Sequence, residues 1–318
     1  MNLRYAIFSV ICEEILLKWN SQEIQNGMNL LKTYNSFKGI LKITILVINR
    51  KMLYKIQYFH CRGHLPDLVT PKNLSELVLA EMLEPSFGEK YADYADKVKV
   101  REYIKERGFE EILLKHYGVW RDARQIDFNK LPKKFVLKTN NGCGGYVFCR
   151  DKSMLDIGKA VTQINKTLRL PYIFNKEPQY KAIDPLIFCE ELIDTGSENT
   201  PADYKFLCIN GKPVFVLVYT GRNIRKRTCL FDMNWKVQAS MIISERKPEQ
   251  IPERPDGFDK MIQIAETLSE GFRFVRVDLY FHQKKIYFGE LTFTPSGGIF
   301  RSLTDEALIE LGQLYRNS

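Results

Sequence analysis

Histidine is scarce in this sequence, four residues among 318, and the seven cysteines include no Cys-x-x-Cys pair and no regular spacing. An odd, irregular set of cysteines does not build a secreted disulfide framework, so reduced thiols and a cytoplasmic setting are expected. His60, Cys61 and His64 stand together, but no further Cys/His group completes a zinc site, and a metal reading there is set aside. No apolar run approaches the roughly 20 residues that span a bilayer, and Ile43 to Ile48, rich in β-branched side chains, reads as a strand. Between Met1 and Trp19 the only apolar run is Tyr5 to Cys12, followed by Glu13 and Glu14, so no signal peptide is expected. Repeats, low-complexity tracts and basic runs interleaved with aromatics are also missing, which makes nucleic acid the weaker partner.

The chain is long enough to bury a core without help from disulfides or metals, and 45% hydrophobic with 27% charged residues is an ordinary globular balance. A net charge of +9 implies attraction to something acidic: nucleotide phosphate, an anionic glycan, nucleic acid or the cytoplasmic membrane surface, so peripheral association at the inner face stays open. Residues 1–50 read as an extension with no assignable role. Residues 51–132 read as a mainly helical region. Leu74, Leu77, Val78 and Leu83 recur at helical spacing behind Asn73, and a second helix from about Asp96 to Arg107 ends at Gly108. From 133 to 318 short strands take over: Phe135–Thr139, Tyr146–Arg150, Leu186–Ile193, Tyr204–Ile209, Pro213–Tyr219, Phe274–Phe281 and Ile286–Phe293. Asn210-Gly211 is a hairpin signal between two of them. Helices are expected near Asp156–Leu170, over Phe258–Glu270 and from about Asp305. Helices laid on one side of mostly antiparallel sheets predict an α+β fold.

Six segments carry residue types suited to nucleotide and phosphate chemistry. In Phe135-Val-Leu-Lys138 a strand delivers a lysine into a turn holding Gly142, Gly144 and Gly145, where backbone N–H groups can approach phosphate oxygens. No Lys-Ser/Thr follows these glycines, so this is not a P-loop, and an ordinary hairpin is the competing reading. Glu190 and Glu191 end an apolar strand, where a carboxylate can accept from an adenine amino group or a ribose hydroxyl. Asp203-Tyr-Lys205-Phe puts a lysine in an otherwise buried strand, costly if it faces inward without an anion. Arg276-Val-Asp278 and Gly289-Glu290-Leu-Thr292-Phe-Thr294 place Arg276 with Asp278 on one strand face, and Glu290, Thr292 and Thr294 on one face of the next. Facing carboxylates on neighbouring strands make an oxygen-rich seat for Mg²⁺ (or Mn²⁺), and Arg276 beside them can stabilise charge on a transferring phosphoryl group. Asp278 and Glu290 share a face only if the hairpin between them has an odd loop or contains a bulge. The basic loop Gly221-Arg222-Asn-Ile-Arg225-Lys226-Arg227 is either a solvated turn or a grip on an acidic substrate or terminal phosphates.

Taken in order, these segments resemble the ATP-grasp superfamily, and within it the TupA-like family of teichuronopeptide biosynthesis. The resemblance runs from about Pro66 to Leu311. Ala95-Asp96-Lys97 through Val100-Arg101-Glu102-Tyr103, Asn210-Gly-Lys-Pro213 and Phe231-Asp232-Met-Asn-Trp235 are further marks of it. It implies an ATP-grasp fold preceded by a small helical region, with ATP bound between two α+β subdomains. Lys138 and Lys205 would contact phosphates and base, and Glu190 and Glu191 would lie at the adenine and ribose hinge. Asp278 and Glu290 would hold magnesium, joined by Thr292, where many ATP-grasp enzymes have Asn. Arg276 and Lys138 would act on the phosphoryl group, and the glycines and Arg222 would line the nucleotide site. Cys143 stands where a small residue is expected.

The implied reaction is ATP-dependent: a carboxylate is phosphorylated and an amine displaces phosphate to form an amide, the acid being a surface-polysaccharide precursor or other acidic small molecule. Removing Asp278 or Glu290 is then expected to abolish turnover more than it harms folding. The alternatives are a glycosyltransferase of polysaccharide assembly, for which the Asp-x-Asp metal seat is missing from the sequence, a non-catalytic anion-binding protein, and a kinase using the same ATP site.

Overall fold

The computed structural model describes residues 50–142, 144–169, 177–196, 201–220, 227–243 and 251–317. The expected strand Ile43–Ile48, Cys143 and the basic loop through Lys226 lie outside them. The chain divides into two compact units, residues 1–66 and 67–318. In the first, helix α1 (Arg50–Arg62) buries Leu53, Tyr54, Gln57 and Tyr58, side chains spaced to fall on one helical face.

The second unit begins with α2 (Leu74–Glu81). The Asn73 side chain accepts from the Glu76 N–H while Glu76 reaches back to the Asn73 N–H, a reciprocal cap that fixes the start of the helix. Helix α3 (Phe87–Ala95) was not read from the sequence, although Phe87, Tyr91, Ala92 and Ala95 form its buried face. Helix α4 (Val100–Glu106) starts four residues later than expected. The Asp96 carboxylate accepts from the N–H groups of Val98 and Lys99 and holds that stretch as a turn.

The strands form two antiparallel sheets. The first holds β1 (His116–Trp120), β2 (Phe135–Thr139), β3 (Val147–Cys149) and, after helix α5 (Ile157–Leu168), β4 (Ile187–Glu191), in the order β1-β4-β2-β3. The second holds β5 (Ala202–Ile209), β6 (Lys212–Thr220), β7 (Arg227–Asp232) and, after helix α6 (Phe258–Ser269), β8 (Phe274–His282) and β9 (Lys285–Thr292). Their order is β7-β6-β5-β8-β9. Helix α7 (Asp305–Arg316) follows, capped by the Thr304 hydroxyl. Strands β1 and β7 are absent from the sequence reading. The Asn210-Gly211 turn has the expected left-handed geometry at both residues, φ 52° and 75°.

Alternation gives each sheet one dry face. Phe135, Leu137, Ile187 and Cys189 pack with Ala160 and Ile164 of α5. On the second sheet, Phe206 stacks on Phe258 of α6, ring centroids 5.8 Å apart, and Val277 and Leu279 are fully buried. Each such side chain contributes about 1.5–3 kcal/mol. The opposite faces carry the polar residues. Among the described residues no helix is long and apolar enough to cross a membrane.

Candidate active site

The register of the second sheet sets Lys205 of β5 directly opposite Asp278 of β8, and Asp278 directly opposite Glu290 of β9. The β8–β9 turn is only two residues, Gln283 and Lys284, both left-handed (φ 50° and 62°), which alone would put Asp278 and Glu290 on opposite faces. One extra residue restores the pairing: Leu279 pairs with Phe288 and Asp278 with Glu290, so Gly289 is bulged. A Cβ on Gly289 would lie 3.0 Å from the Asp278 carbonyl oxygen and 3.1 Å from the Tyr280 ring, so only glycine fits without displacement.

Around this row the side chains interlock. Arg276 donates through Nε to Asp278 Oδ1 (2.6 Å) and through Nη2 to Asp278 Oδ2 (2.7 Å), Glu290 Oε1 (3.2 Å) and Thr292 Oγ1 (3.1 Å). Thr292 donates in turn to Glu290 Oε1 at 3.1 Å. Lys205, 5% exposed, is paired with Asp278 and, at 3.0 Å, with Asp203. Burial pushes the Asp278 carboxyl upward against the pull of Arg276 and Lys205. Burial acts the same way on Glu290, but Lys97, Arg276 and Lys205 outweigh it and hold that carboxyl at about 2.

The first sheet faces this row across a cleft of about 120 Å³, whose lining includes Lys138, Glu190, Lys205, Asp278 and Glu290. On β2 and β4, Lys138 sits opposite Phe188, and Glu190 opposite Val136, so the two charged side chains meet diagonally and form an ion pair. Burial alone would lower the Lys138 ammonium; Glu190 beside it outweighs that and raises it. Glu191 alternates to the other face of β4 and is exposed, so the two acids are not equivalent. In the turn after β2, Gly142, Gly144 and Gly145 all have left-handed φ (113°, 86° and 70°). Gly144 opens onto free space, whereas a Cβ on Gly145 would strike Thr167 of α5 at 2.2 Å, so close packing also explains that glycine. Arg222 lies outside the described residues.

Three site residues carried no assigned role in the sequence reading. Lys97 reaches over from the helical region, donating to the Gly142 carbonyl at 2.7 Å and lying 3.5 Å from Glu290 Oε2. Asn140 braces it there, donating to Asp96 Oδ2 at 2.9 Å. The signal was present, since Asp96-Lys97 was among the segments carrying the resemblance. His116, opposite Glu190 on β1, is pushed down to about 4 by burial and by Arg101, and is a neutral imidazole at neutral pH. Glu177 accepts from Thr294 Oγ1 at 2.8 Å. Burial and the nearby Glu290 carboxylate push it up to about 7, against the Thr294 hydrogen bond. Nothing in its sequence context marked it.

Among the described residues no group of three or more His, Cys, Asp or Glu side chains is arranged to hold a metal ion alone. Mg²⁺ beside nucleotides is commonly held by one or two carboxylates with phosphate oxygens and water completing the shell, and Asp278 and Glu290 are the facing carboxylates that could hold it.

Two antiparallel sheets clasping a cleft, with lysines on both walls and a facing acid pair on one, define the ATP-grasp class. Residues 76–315 match the family described as TupA-like ATP-grasp, and the chain belongs to that family. No curated protein matches. Similar solved structures include a D-alanine–D-alanine ligase from Bacillus anthracis (16% identity, 70% of this chain and 64% of that one, TM-score 0.39). D-cycloserine synthetase DcsG is another (12%, 72% and 71%, 0.40). A third is the ATP-grasp ligase PsnB complexed with precursor peptide PsnA2 and AMPPNP (13%, 93% and 73%, 0.38). The chain thus spans under two thirds of the length of that D-alanine–D-alanine ligase.

Proposed function

We propose that the protein is an ATP- and Mg²⁺-dependent carboxylate–amine ligase acting through an acyl phosphate on a precursor of a surface polysaccharide. The observation that carries this reading is the aligned row Lys205–Asp278–Glu290 with Arg276 bridging its two acids, set across a cleft from Lys138. Four cations converge there, Lys97, Lys138, Lys205 and Arg276, each within reach of a carboxylate that a bound anion could replace. Polyphosphate is the ligand chemistry that uses them.

In this reading Lys138 leaves Glu190 to meet a phosphate, and Glu190 turns to the adenosine. Lys97 and the glycine turn hold the terminal phosphates, and Arg276 neutralises charge that grows on the phosphoryl group as the substrate carboxylate attacks. Asp278 and Glu290, with Thr292, would hold Mg²⁺, which when bound supplies charge neutralisation on the phosphate oxygens. The carboxylate needs activation because it is a poor electrophile. Holding the reactants aligned contributes about 7–11 kcal/mol of the barrier reduction in favourable cases. Family membership supports the ATP site and the ligase class. The acid, a uronic or amino acid, is proposed from the TupA-like resemblance and from the net charge of +9.

Isothermal titration of a non-hydrolysable ATP analogue with and without Mg²⁺, on the wild type, Lys138→Ala and Glu290→Gln, tests the site. Magnesium-dependent binding weakened in both variants is the expected result. No binding under any condition would remove the basis for the proposal.

A further inference from the structure

Four carboxylates beside the cationic cluster have ion pairs. Asp203 and Asp278 are paired with Lys205, Glu290 with Arg276 and Lys97, and Glu190 with Lys138. Glu177 has no ion-pair partner among the described residues, yet its position is built. Pro178, Gln179 and Tyr180, which follow it, are all buried, and the Pro178 carbonyl packs so closely on α3 that a Cβ at Gly88 would meet its oxygen at 3.0 Å. The carboxylate is aimed by two donors: Thr294 Oγ1 at 2.8 Å and, more distantly, Gln179 Nε2 at 3.5 Å. Because the Thr294 proton goes to Glu177, its oxygen accepts from Gln179 Nε2 at 2.8 Å. That leaves Gln179 Oε1 a buried acceptor without a donor.

We infer that Glu177, oriented by Thr294 and Gln179, is the subsite for the attacking amine, binding it as an ammonium ion and taking its proton. The inference rests on the ligase reading above. Glu290, Thr292 and Thr294 follow one another along β9 and its continuation. The end at Glu290 meets the phosphate-binding lysines, and the end at Thr294 meets Glu177. A carboxylate already held by a lysine or arginine is a poor partner for an ammonium ion. The ion needs one without an ion-pair partner, and Glu177, half-buried and oriented at the Thr294 end, is such a carboxylate.

The chemistry balances with the reactants already named. Glu177 takes one proton from the ammonium, freeing the nitrogen lone pair. The lone pair forms the C–N bond to the acyl carbon, the bond from that carbon to the phosphate oxygen breaks, and phosphate leaves with its electrons. The second proton lost in forming the amide departs on phosphate. Lys97 and Arg276 favour ionised Glu177, while burial and Glu290 oppose it, which keeps the carboxyl near neutrality, suited to accepting a proton.

The test uses ethylammonium chloride as the probe, titrated into the protein loaded with Mg²⁺ and the non-hydrolysable ATP analogue and followed by saturation-transfer NMR. Tetramethylammonium chloride is the control of equal charge without N–H donors. Saturable binding of ethylammonium alone, weakened at least ten-fold by Glu177→Gln, is expected. Thr294→Val keeps the carboxylate but removes its orienting hydroxyl. It should weaken binding several-fold, which provides a second test if Glu177→Gln folds poorly. Equal response to both cations, no ethylammonium binding to the nucleotide-loaded wild type, or binding that survives both substitutions overturns the inference and leaves the ATP site standing. Absence of magnesium-dependent nucleotide binding in the wild type overturns the ligase reading and the inference with it.

Discussion

Asp278→Asn removes a carboxylate that is 1% exposed and that receives both Arg276 Nε and Nη2, at 2.6 and 2.7 Å, as well as the Lys205 ammonium. Asparagine offers one acceptor oxygen, and its amide N–H₂ must point at a cation. Breaking a buried charge pair from one side costs about 3–5 kcal/mol, because the partner stays buried and unpaired. Arg276 keeps Glu290 at 3.2 Å and Lys205 keeps Asp203 at 3.0 Å, so the lower end, about 3 kcal/mol, is expected. That is a large share of a typical 5–15 kcal/mol of total stability. The sequence alone suggests a loss of turnover exceeding the harm to folding; the packing around Asp278 predicts both. Urea unfolding followed by circular dichroism, at low salt and without Mg²⁺, measures the loss. In Asp278→Asn/Lys205→Met one of the stranded cations is gone, so the double variant should recover at least about 1 kcal/mol relative to additivity. A single variant within 1 kcal/mol of wild type, or a strictly additive pair, would refute the reasoning.

Three further outcomes follow from the same geometry. The Glu177 carboxyl releases its proton at about 7 in the fold and near 4.5 in the unfolded chain, so the folded state holds the extra proton between those values. The Glu177 contribution to stability is therefore fully present below about 4.5 and is lost as pH rises to about 7. Glu177→Gln should stabilise the protein at pH 8 by about 1–2 kcal/mol, below the roughly 3 kcal/mol upper bound because the residue is only half-buried, with the gain vanishing by pH 4.5. Urea midpoints across that pH range check it, and a gain independent of pH counts against the assignment. Gly289→Ala forces a Cβ against the Asp278 carbonyl, costing about 1–3 kcal/mol, and should weaken nucleotide binding more with Mg²⁺ than without it. Lys97→Met removes a cation 3.5 Å from Glu290 and should lower nucleotide affinity at least ten-fold by calorimetry; unchanged affinity would show that Lys97 only braces the glycine turn.

Much of this architecture was legible because it is local. The alternation of apolar residues in Phe135–Thr139 and Phe274–Phe281, and the Asn210-Gly211 turn, depend on neighbours in the chain, and the observed strands fall within a residue or two of their expected bounds. Lys138, Lys205, Arg276, Asp278 and Glu290 could be singled out because a charge inside an apolar strand stands out against its surroundings. β1 could not be read, since His116-Tyr-Gly-Val-Trp120 lacks clean alternation and its pairing partner, β4, lies some 70 residues away in sequence. The register of Asp278 and Glu290 was left open between an odd loop and a bulge, because both give the same face. Only the observed Leu279–Phe288 pairing chooses the bulge.

Glu177 shows where sequence reasoning stops. The residue sits in no periodic pattern, ends no strand and precedes a proline, so its surroundings read as a connecting segment. Its significance comes from contacts made across the fold: a hydroxyl 117 residues away in sequence, a like charge at Glu290, and cations at Lys97, in the turn between α3 and α4, and Arg276 of β8. The four cations have a ready explanation in phosphate, which the strand lysines announce. The unpaired acid has none until the second substrate is considered, so the chemistry of the acceptor is written in tertiary contacts while that of ATP is written in the strands.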